Sequence, residues 1–197
     1  EVIIISSTIE TIGEYAFSNC TTLKKIYNFK TTNIIGSNVF SGCTQLTTMY
    51  VTANYTGSIG SGINVGGISM TITKMINSEE NVCGDNCRYG IYDDILLYIT
   101  GSGNMAVFGS GSAPWYSQRQ TIKAIYIEEG ITSIGNYAFY EQKPITSVTL
   151  PDSITSIGNY AFAYLSNITS ITIPGNVTSI GDGAFKDPVG HIWELAD

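Results

Sequence analysis

One eight-residue segment recurs at a fixed interval and constrains the fold of this chain more than any other feature. It reads TSIGNYAF at Thr132–Phe139 and Thr155–Phe162, and TSIGDGAF at Thr178–Phe185. The copies begin at residues 132, 155 and 178, a constant interval of 23 residues. A unit of this length is too short to bury its own apolar face, so successive units must stack and share one core. The interval therefore predicts a repeat solenoid, an architecture whose extended surface generally serves binding.

The same interval relates apolar residues in the first part of the chain. The matched pairs are Ile12 with Ile35, Phe17 with Phe40, Cys20 with Cys43, Leu23 with Leu46 and Ile26 with Met49. A further step from Met49 reaches Ile72, within the alternating run Ile68–Ile72, but no Ala-Phe pair precedes that run. We interpret this segment as a degraded or terminal rung of the solenoid.

Each unit divides into a turn half and a strand half. In the turn half, represented by Ile157–Phe162, we expect the glycine to adopt a positive φ and the Ala-Phe pair to begin a short helical turn. In the strand half, Ile171–Ile173 alternates apolar and polar β-branched residues, which predicts a strand with one buried face. Pro174 ends it, because proline cannot donate a ladder hydrogen bond. One strand per unit gives a parallel sheet with interior ladders of Ile, Val, Leu and Phe.

The interval is lost in the middle of the chain. There, Arg88–Tyr92 and Ile95–Ile99 flank Asp93-Asp94 and predict a β-hairpin with a polar turn. Trp115 is expected to cover the open end of the following array, a role that fits better than ligand binding because a solenoid needs capped ends. The predicted organisation is a first array at 1–81, a β-hairpin and cap insert at 82–119 and a second array at 120–197. The length allows one continuous solenoid or two short domains.

Composition restricts the class of partner. The net charge of −7 argues against nucleic acid, which requires a basic face. No run of about 18 apolar residues predicts a membrane span, and no signal peptide is evident, which suggests a mature protein or an excised fragment. Charged residues make up only 13% of the chain, and together with abundant Ser, Thr, Asn and Tyr this is typical of a secreted or cell-surface protein.

The four cysteines form two pairs with different expectations. Cys20 and Cys43 occupy equivalent positions on adjacent rungs, about 5 Å apart. Their parallel side chains would hold the Cβ atoms too far apart for favourable disulfide geometry, so free thiols are expected. Cys83 and Cys87 lie in a loop that can bend, and they are the better candidates for a disulfide. No metal is predicted, because the second close pair that a zinc site needs is absent.

The interval, the segment TSIGNYAF and the strand sequence SITIP resemble the BspA-like leucine-rich repeats. The insert resembles a segment that precedes such arrays in this family, through CGDN at Cys83–Asn86, TGSG at Thr100–Gly103 and APWY at Ala113–Tyr116. Members are mostly surface or secreted proteins of host-associated bacteria and some protists. The resemblance implies a right-handed curved solenoid of the leucine-rich-repeat class and a role in adhesion or protein binding.

Catalysis and cofactor binding have little support in the sequence. His191 is the single histidine and lies close to the C-terminus, where a catalytic triad is improbable. The acidic pairs Asp93-Asp94 and Glu128-Glu129 are interpreted as solvated turns or strand ends. No phosphate-binding loop, dinucleotide fingerprint or calcium-binding loop is present. We therefore expect a protein that is not an enzyme and has no cofactor.

A candidate ligand-binding face follows from the outward positions of the predicted strands. It combines tyrosines with nearby lysines, and its members are Tyr27, Tyr50, Tyr126, Lys24, Lys25 and Lys123. Tyrosine provides a large contact area with few rotatable bonds, which favours recognition. The alternative is that tyrosine simply suits β-strands.

Three functions are compatible with these features. The leading one is an adhesin-like, cell-surface or secreted domain that binds a protein or glycan. The alternative is a structural stalk or spacer within a longer surface protein, without a ligand of its own. A hydrolytic enzyme is the weakest option, because it would need a deep pocket that holds two carboxylates, or His191 beside a nucleophile.

Overall fold

The computed structural model describes residues 1–5, 9–52, 55–75, 81–187 and 194–195. The chain forms two compact units, Glu1–Ile76 and Asn77–Asp197. In each unit, successive coils of the chain stack through parallel strand pairs, so the predicted repeat solenoid is confirmed.

The first unit contains one five-stranded sheet. Its strands are β1 (Val2–Ile5), β2 (Lys25–Asn28), β3 (Thr48–Val51), β4 (Gly60–Val65) and β5 (Ile68–Lys74). They are arranged in the order β1-β2-β3-β5-β4, and all pairs are parallel except β4 with β5. Ile26 pairs with Met49, and Met49 pairs with Ile72. The degraded rung therefore keeps the register of the repeat and ends the sheet as a hairpin.

The described part of the second unit contains nine strands. They are β6 (Asn86–Tyr92), β7 (Leu96–Asn104), β8 (Ala124–Ile127), β9 (Ile131–Ile134), β10 (Ser147–Thr149), β11 (Ser156–Ile157), β12 (Thr172–Ile173), β13 (Ser179–Ile180) and β14 (Glu194–Leu195). Seven strands form one sheet, six of them in the order β10-β8-β7-β9-β11-β13 with β6 beside β7, while β12 pairs with β14.

The predicted hairpin is confirmed and is part of the second unit. Strands β6 and β7 are antiparallel, and the Ile95 N–H donates to the Tyr92 carbonyl at 3.1 Å. Asp93 and Asp94 between them have φ values of 51° and 56°, as the central residues of a type I′ turn require. The long strand β7 then pairs in parallel with both β8 and β9. The hairpin thus supplies the first rung on which the second array is built.

A column of aromatic rings runs through the core of the second unit. The Phe139 and Phe162 ring centroids lie 5.1 Å apart, and those of Phe162 and Phe185 lie 5.5 Å apart, with both pairs stacked. The Trp115 ring stacks on Phe139 at 5.7 Å and is fully buried. The interval of 23 residues therefore places like side chains over like, and Trp115 from the insert ends the column next to Phe139.

The turn half of the 23-residue repeat in the second unit differs from the prediction in two respects. In each of three consecutive coils the Thr-Ser-Ile segment forms a second strand, namely β9, β11 and β13, with Ile134 paired to Ile157 and Ile157 to Ile180. The expectation that the following glycine has a positive φ is wrong: the positive values belong to Tyr137 and Tyr160, both at 53°.

Close approach of neighbouring coils is the reason for the recurring glycine. A Cβ added to Gly158 would lie 2.5 Å from Asn136 Oδ1 and 2.6 Å from the Asn136 backbone nitrogen. Asn136 Oδ1 also accepts a hydrogen bond from the Asn159 N–H at 2.9 Å, so it is fixed in place. Only glycine lets these coils approach at this distance.

Replacing Gly158 by alanine should therefore weaken the second unit. We expect Gly158→Ala to lower the free energy of unfolding by about 1–3 kcal/mol, the usual range for overpacking. The matched control is Gly175→Ala, because a Cβ there has no neighbour within 4 Å and Gly175 lacks a positive φ. Urea denaturation of both variants checks the difference. Equal midpoints would contradict the explanation from close approach.

The Ala-Phe segments form turns rather than regular helix. Ala161 N–H donates to the Gly158 carbonyl and Ala163 N–H to the Tyr160 carbonyl, each at 3.3 Å. The left-handed backbone of Tyr160 interrupts any continuous right-handed helix at this point. Within the described ranges the one helix is a 3₁₀ helix at Tyr116–Gln118. Among these residues, no helix has the length and apolar character needed to cross a membrane.

One polar side chain interrupts an otherwise apolar interior position. Gln142 is fully buried, and neither its side-chain nitrogen nor its oxygen has a hydrogen-bond partner among the described residues. The equivalent position one repeat later is Leu165, also fully buried. A buried amide without partners costs free energy, because it has lost its hydrogen bonds to water.

This comparison predicts a stabilising substitution. Gln142→Leu should raise the free energy of unfolding by about 1–3 kcal/mol, because it removes an unpaired buried amide. The reciprocal variant, Leu165→Gln, should lower it. Thermal unfolding of the two proteins measures both effects. A Gln142→Leu protein that is less stable than the wild type would contradict the absence of hydrogen bonds to this amide.

Candidate functional site

The tyrosines expected to form an exposed face are largely buried. Tyr27 has 0% and Tyr126 has 4% of its surface exposed, while Tyr50 is half-buried. The expectation of outward, solvent-exposed rings is therefore wrong for Tyr27 and Tyr126. Part of the reason is that outward side chains on neighbouring strands lie against one another. The Tyr27 and Tyr50 rings stack at 5.1 Å, and Tyr126 lies 6.0 Å from Tyr98.

The three lysines of that face keep their side chains nearer to solvent. Lys24 and Lys123 are exposed, whereas Lys25 is half-buried with its Nζ 5.9 Å from the centroid of the Tyr50 ring. The six predicted residues are divided between the two units: Lys24, Lys25, Tyr27 and Tyr50 belong to the first, and Lys123 and Tyr126 to the second. A ligand-binding role for them stays a prediction.

Glu128 is not the solvated strand end that the sequence suggested. It is half-buried next to β8, and Tyr98 forms a hydrogen bond with its carboxylate. Burial raises the pKa of Glu128, although the hydrogen bond from Tyr98 acts in the opposite direction. Burial also raises the pKa of Tyr98, and the neighbouring carboxylate contributes to this rise.

The raised pKa of Glu128 predicts a specific pH dependence. The folded state holds this proton more tightly than the unfolded state, so the stabilisation is present below the unfolded pKa and is lost as pH rises through the folded pKa. We expect Glu128→Gln to be more stable than the wild type at pH 7, with the difference shrinking towards pH ~4. Urea midpoints measured across this range check the prediction.

Glu129→Gln is the matched control for that measurement. The Glu129 carboxylate is exposed and accepts hydrogen bonds from the backbone N–H groups of Asp152 and Ser153, at 3.0 and 3.2 Å. Removal of its charge should give no gain in stability at pH 7. A gain of the same size in both variants would point to overall net charge and not to burial of Glu128.

A different set of tyrosines lies at the surface of the second unit. These residues, here called the tyrosine strip, all lie in or near the turn halves of the coils and are half-buried. They are Tyr116, Tyr137, Tyr140, Tyr160 and Tyr164. The Tyr137 and Tyr160 rings stack at 5.3 Å, and Tyr140 contacts both Tyr137 and Tyr164 edge-to-face at 5.4 and 5.5 Å. Four of the five rings thus form one continuous aromatic surface.

Polar and charged groups border this strip. The Tyr116 hydroxyl donates to Glu141 Oε2 at 2.9 Å, and this hydrogen bond raises the pKa of Tyr116. The Arg119 guanidinium lies 4.4 Å from the centre of the Tyr116 ring, and Lys186 Nζ lies 5.9 Å from that of Tyr164. The result is a surface with aromatic contact area, phenol hydroxyls and both signs of charge.

The repeat explains why the strip exists. Tyr137 and Tyr160 occupy the same position in consecutive coils, and in the next coil that position is Gly183. A Cβ at Gly183 would lie 2.6 Å from Tyr160 Cε1, so glycine there leaves room for the Tyr160 ring. This surface was not predicted. Its signal in the sequence is the tyrosine directly before each of the pairs Ala138-Phe139 and Ala161-Phe162, with another tyrosine one or two residues after the pair.

Two shallow grooves lie on the surface of the second unit. One, of about 280 Å³, follows strands β9, β11 and β13 and is lined by serine, asparagine, glycine and apolar residues without any ionisable group. The other, of about 350 Å³, has Asp152 as its one carboxylate. Neither groove holds the two carboxylates that a hydrolytic enzyme would need. His191 lies outside the described residues.

The two cysteine pairs differ in their oxidation state. Cys83 and Cys87 are joined by a disulfide, with their Cα atoms 5.0 Å apart. The bridge joins Cys83, which lies just before β6, to Cys87 near the start of β6. The Cys83 carbonyl also accepts a hydrogen bond from the Ala106 N–H at 2.6 Å. Cys20 and Cys43 are free thiols.

Comparison with solved structures finds bacterial leucine-rich repeat proteins. A leucine-rich repeat protein from Eubacterium ventriosum is 27% identical over 53% of this chain and 34% of its own, with a TM-score of 0.46. A leucine rich cell surface protein from Faecalibacterium prausnitzii is 21% identical over 93% of this chain and 44% of its own, with a TM-score of 0.33. A leucine-rich repeat protein from Bacteroides ovatus is 13% identical over 100% and 66%, with a TM-score of 0.33.

This chain spans 34% and 44% of the length of the first two of these proteins. No curated protein has a significantly similar sequence. The family profile of the BspA type leucine rich repeat region matches residues 1–82 and 113–191 in six copies. These residues cover both arrays and leave out most of the hairpin insert. The chain therefore belongs to the BspA-type leucine-rich repeat family.

Proposed function

We propose that this chain is a non-enzymatic binding module of a bacterial surface protein and that its ligand is a protein or glycan. The tyrosine strip is the observation that carries this proposal. Tyrosine offers a large, rigid contact surface with a polar tip, and aromatic residues are enriched where proteins recognise partners. Membership of the BspA-type leucine-rich repeat family supports the location outside the cell.

The chemistry of the strip favours a ligand rich in hydroxyl and amide groups. The phenol hydroxyls donate and accept hydrogen bonds, and the ring edges provide apolar contact. Arg119 and Lys186 lie at its margins with Glu141 between them in sequence, so the border carries both signs of charge. A polyanion such as nucleic acid is disfavoured by the net charge of −7. Protein surfaces and glycans both provide the required groups.

A binding screen with matched variants tests this function. The immobilised chain is exposed to host extracellular-matrix proteins and to a glycan array. We expect a ligand whose binding is lost when Tyr116, Tyr140 and Tyr164 are replaced together by serine. The control is Tyr15→Ser, because Tyr15 is 56% exposed and lies in the first unit, away from the strip in sequence. Binding that survives the triple substitution would exclude the strip as the site.

The predicted lysines are a second candidate for the same function, within each unit by itself. Lys24 of the first unit and Lys123 of the second are exposed. In the same screen, one variant replaces Lys24 and Lys25 by serine and another replaces Lys123 by serine. Loss of binding in one of these variants, with binding kept in the strip variant, would assign the ligand to the lysines of that unit.

The structural stalk is the alternative function, and one observation favours it. Tyr27 and Tyr126 are buried, so two of the six residues predicted to meet a ligand are inaccessible. A stalk predicts that the chain binds none of the screened ligands and that the full-length protein binds equally well when these coils are replaced by a spacer of the same length. A ligand that needs the tyrosine strip would reject it.

A further inference from the structure

Two free thiols lie on neighbouring coils of the first unit. Cys20 and Cys43 occupy the same position of consecutive repeats, and neither belongs to a disulfide. Cys43 is buried in the core of this unit, with 2% of its surface exposed, whereas Cys20 is half-buried and packs against the same core. Cys20 is therefore the more exposed of the two residues.

Hydrogen bonds between the coils hold the two thiols together. The Asn19 N–H donates to the Ser41 carbonyl at 2.7 Å, one residue before Cys20 and two before Cys43. Adjacent strands lie about 4.8 Å apart, which is within the Cα separations that disulfides span. The Cys43 thiol donates to the Phe17 carbonyl at 3.0 Å, so its side chain points towards the coil that carries Cys20. The Cys20 and Cys43 side chains are also within hydrogen-bonding reach of each other.

We propose that Cys20 and Cys43 form a redox-active pair that a small-molecule disulfide, such as oxidised glutathione, converts into a disulfide between the two coils. The inclination of Cys43 towards its neighbour removes the geometric objection that parallel side chains raise. The same chain already carries one disulfide, Cys83–Cys87. Disulfides persist in oxidising surroundings, such as the outside of a cell.

The reaction proceeds by two thiol–disulfide exchanges. The Cys20 thiol loses its proton and attacks one sulfur of oxidised glutathione, which forms a mixed disulfide and releases one molecule of glutathione. The Cys43 thiol then loses its proton and attacks the Cys20 sulfur, which forms the protein disulfide and releases the second glutathione. The protein loses two electrons and two protons, and oxidised glutathione gains both. Burial raises the pKa of Cys43, which lowers the fraction of this residue present as the attacking thiolate in the second exchange.

Thiol titration and mass spectrometry of the full chain test this proposal. Titrated in denaturant before treatment, the chain should show two thiols, from Cys20 and Cys43. After incubation with oxidised glutathione we expect none, with an intact mass lower by two hydrogens and without a glutathione adduct. Trypsin cleaves after Lys24, Lys25 and Lys30, so the two cysteines fall in separate peptides that the new bond joins. The oxidised chain should also unfold at a higher temperature than the reduced chain.

Single-cysteine variants complete the test. Cys43→Ala should accumulate a stable glutathione adduct on Cys20, because the second thiol is missing. Cys20→Ser should stay unmodified in the folded state, because Cys43 is buried. Circular dichroism before treatment confirms that each variant is folded. A wild-type protein that keeps both thiols, or that retains a glutathione adduct with Cys43 still free, would overturn the proposal.

Discussion

Replacing Phe162 by alanine should lower the free energy of unfolding by about 3–5 kcal/mol, which is the cost of truncating a fully buried phenylalanine. Phe162 is 0% exposed and is stacked on both sides, with Phe139 at 5.1 Å and Phe185 at 5.5 Å. Its removal leaves a cavity in the middle of the column that neighbouring coils cannot fill without breaking their register. The midpoint of urea denaturation measures the loss.

Phe185→Ala is the matched control for this prediction. Phe185 occupies the same position of the repeat but is half-buried. Folding therefore removes less apolar surface of its ring from water. The Phe185 variant should therefore be clearly more stable than the Phe162 variant. Equal losses of stability in the two variants would show that burial within the column does not set the cost of removing a ring.

The position of the phenylalanine column was predictable from the sequence because it depends on the interval alone. A repeat of constant length returns each residue to the same place on the next coil, whatever the details of the turn. The pairing of Met49 with Ile72 shows the same logic, because this rung keeps its register although the Ala-Phe pair is missing. The interval therefore determines which residues stack.

The second strand of each coil was not predictable by the same reasoning. Ser156–Ile157 is two residues long, too short to show an alternating pattern. It is a strand because Ile134 and Ile180 flank Ile157 on the adjacent coils. The positive φ of Tyr160 is similarly invisible in the sequence, because tyrosine has no intrinsic preference for that conformation. Contacts between coils impose both features.

The candidate binding surface was predicted with the right residue type at the wrong positions. Alternation along β2 and β8 shows which side chains share a face but not what covers that face. The burial of Tyr27 and Tyr126 could therefore not be predicted, and the partly exposed tyrosines are those of the turns. The places of these tyrosines beside the Ala-Phe pairs are visible in the sequence, but the left-handed backbone at Tyr137 and Tyr160 is not.

Trp115→Ala should destabilise the second unit by about 3–5 kcal/mol, because it removes the ring that ends the aromatic column. Trp115 is fully buried, stacks on Phe139 and meets Tyr89 and Phe108 edge-to-face at 5.2 and 5.6 Å. Its indole N–H also donates to the Ala138 carbonyl at 2.7 Å. The loss combines a cavity with an unpaired carbonyl.

Trp115→Phe separates these two contributions. It retains an aromatic ring over Phe139 but leaves the Ala138 carbonyl without its donor, which should cost about 1–3 kcal/mol.

Hydrogen exchange then distinguishes a cap from an ordinary core residue. A cap protects the coils stacked upon it, so Trp115→Ala should speed exchange in 120–187 while Glu1–Ile76 keeps its protection. Uniform loss of protection in both units would show that Trp115 stabilises the chain as a whole, and slow exchange throughout would show that the second array needs no cap at this end.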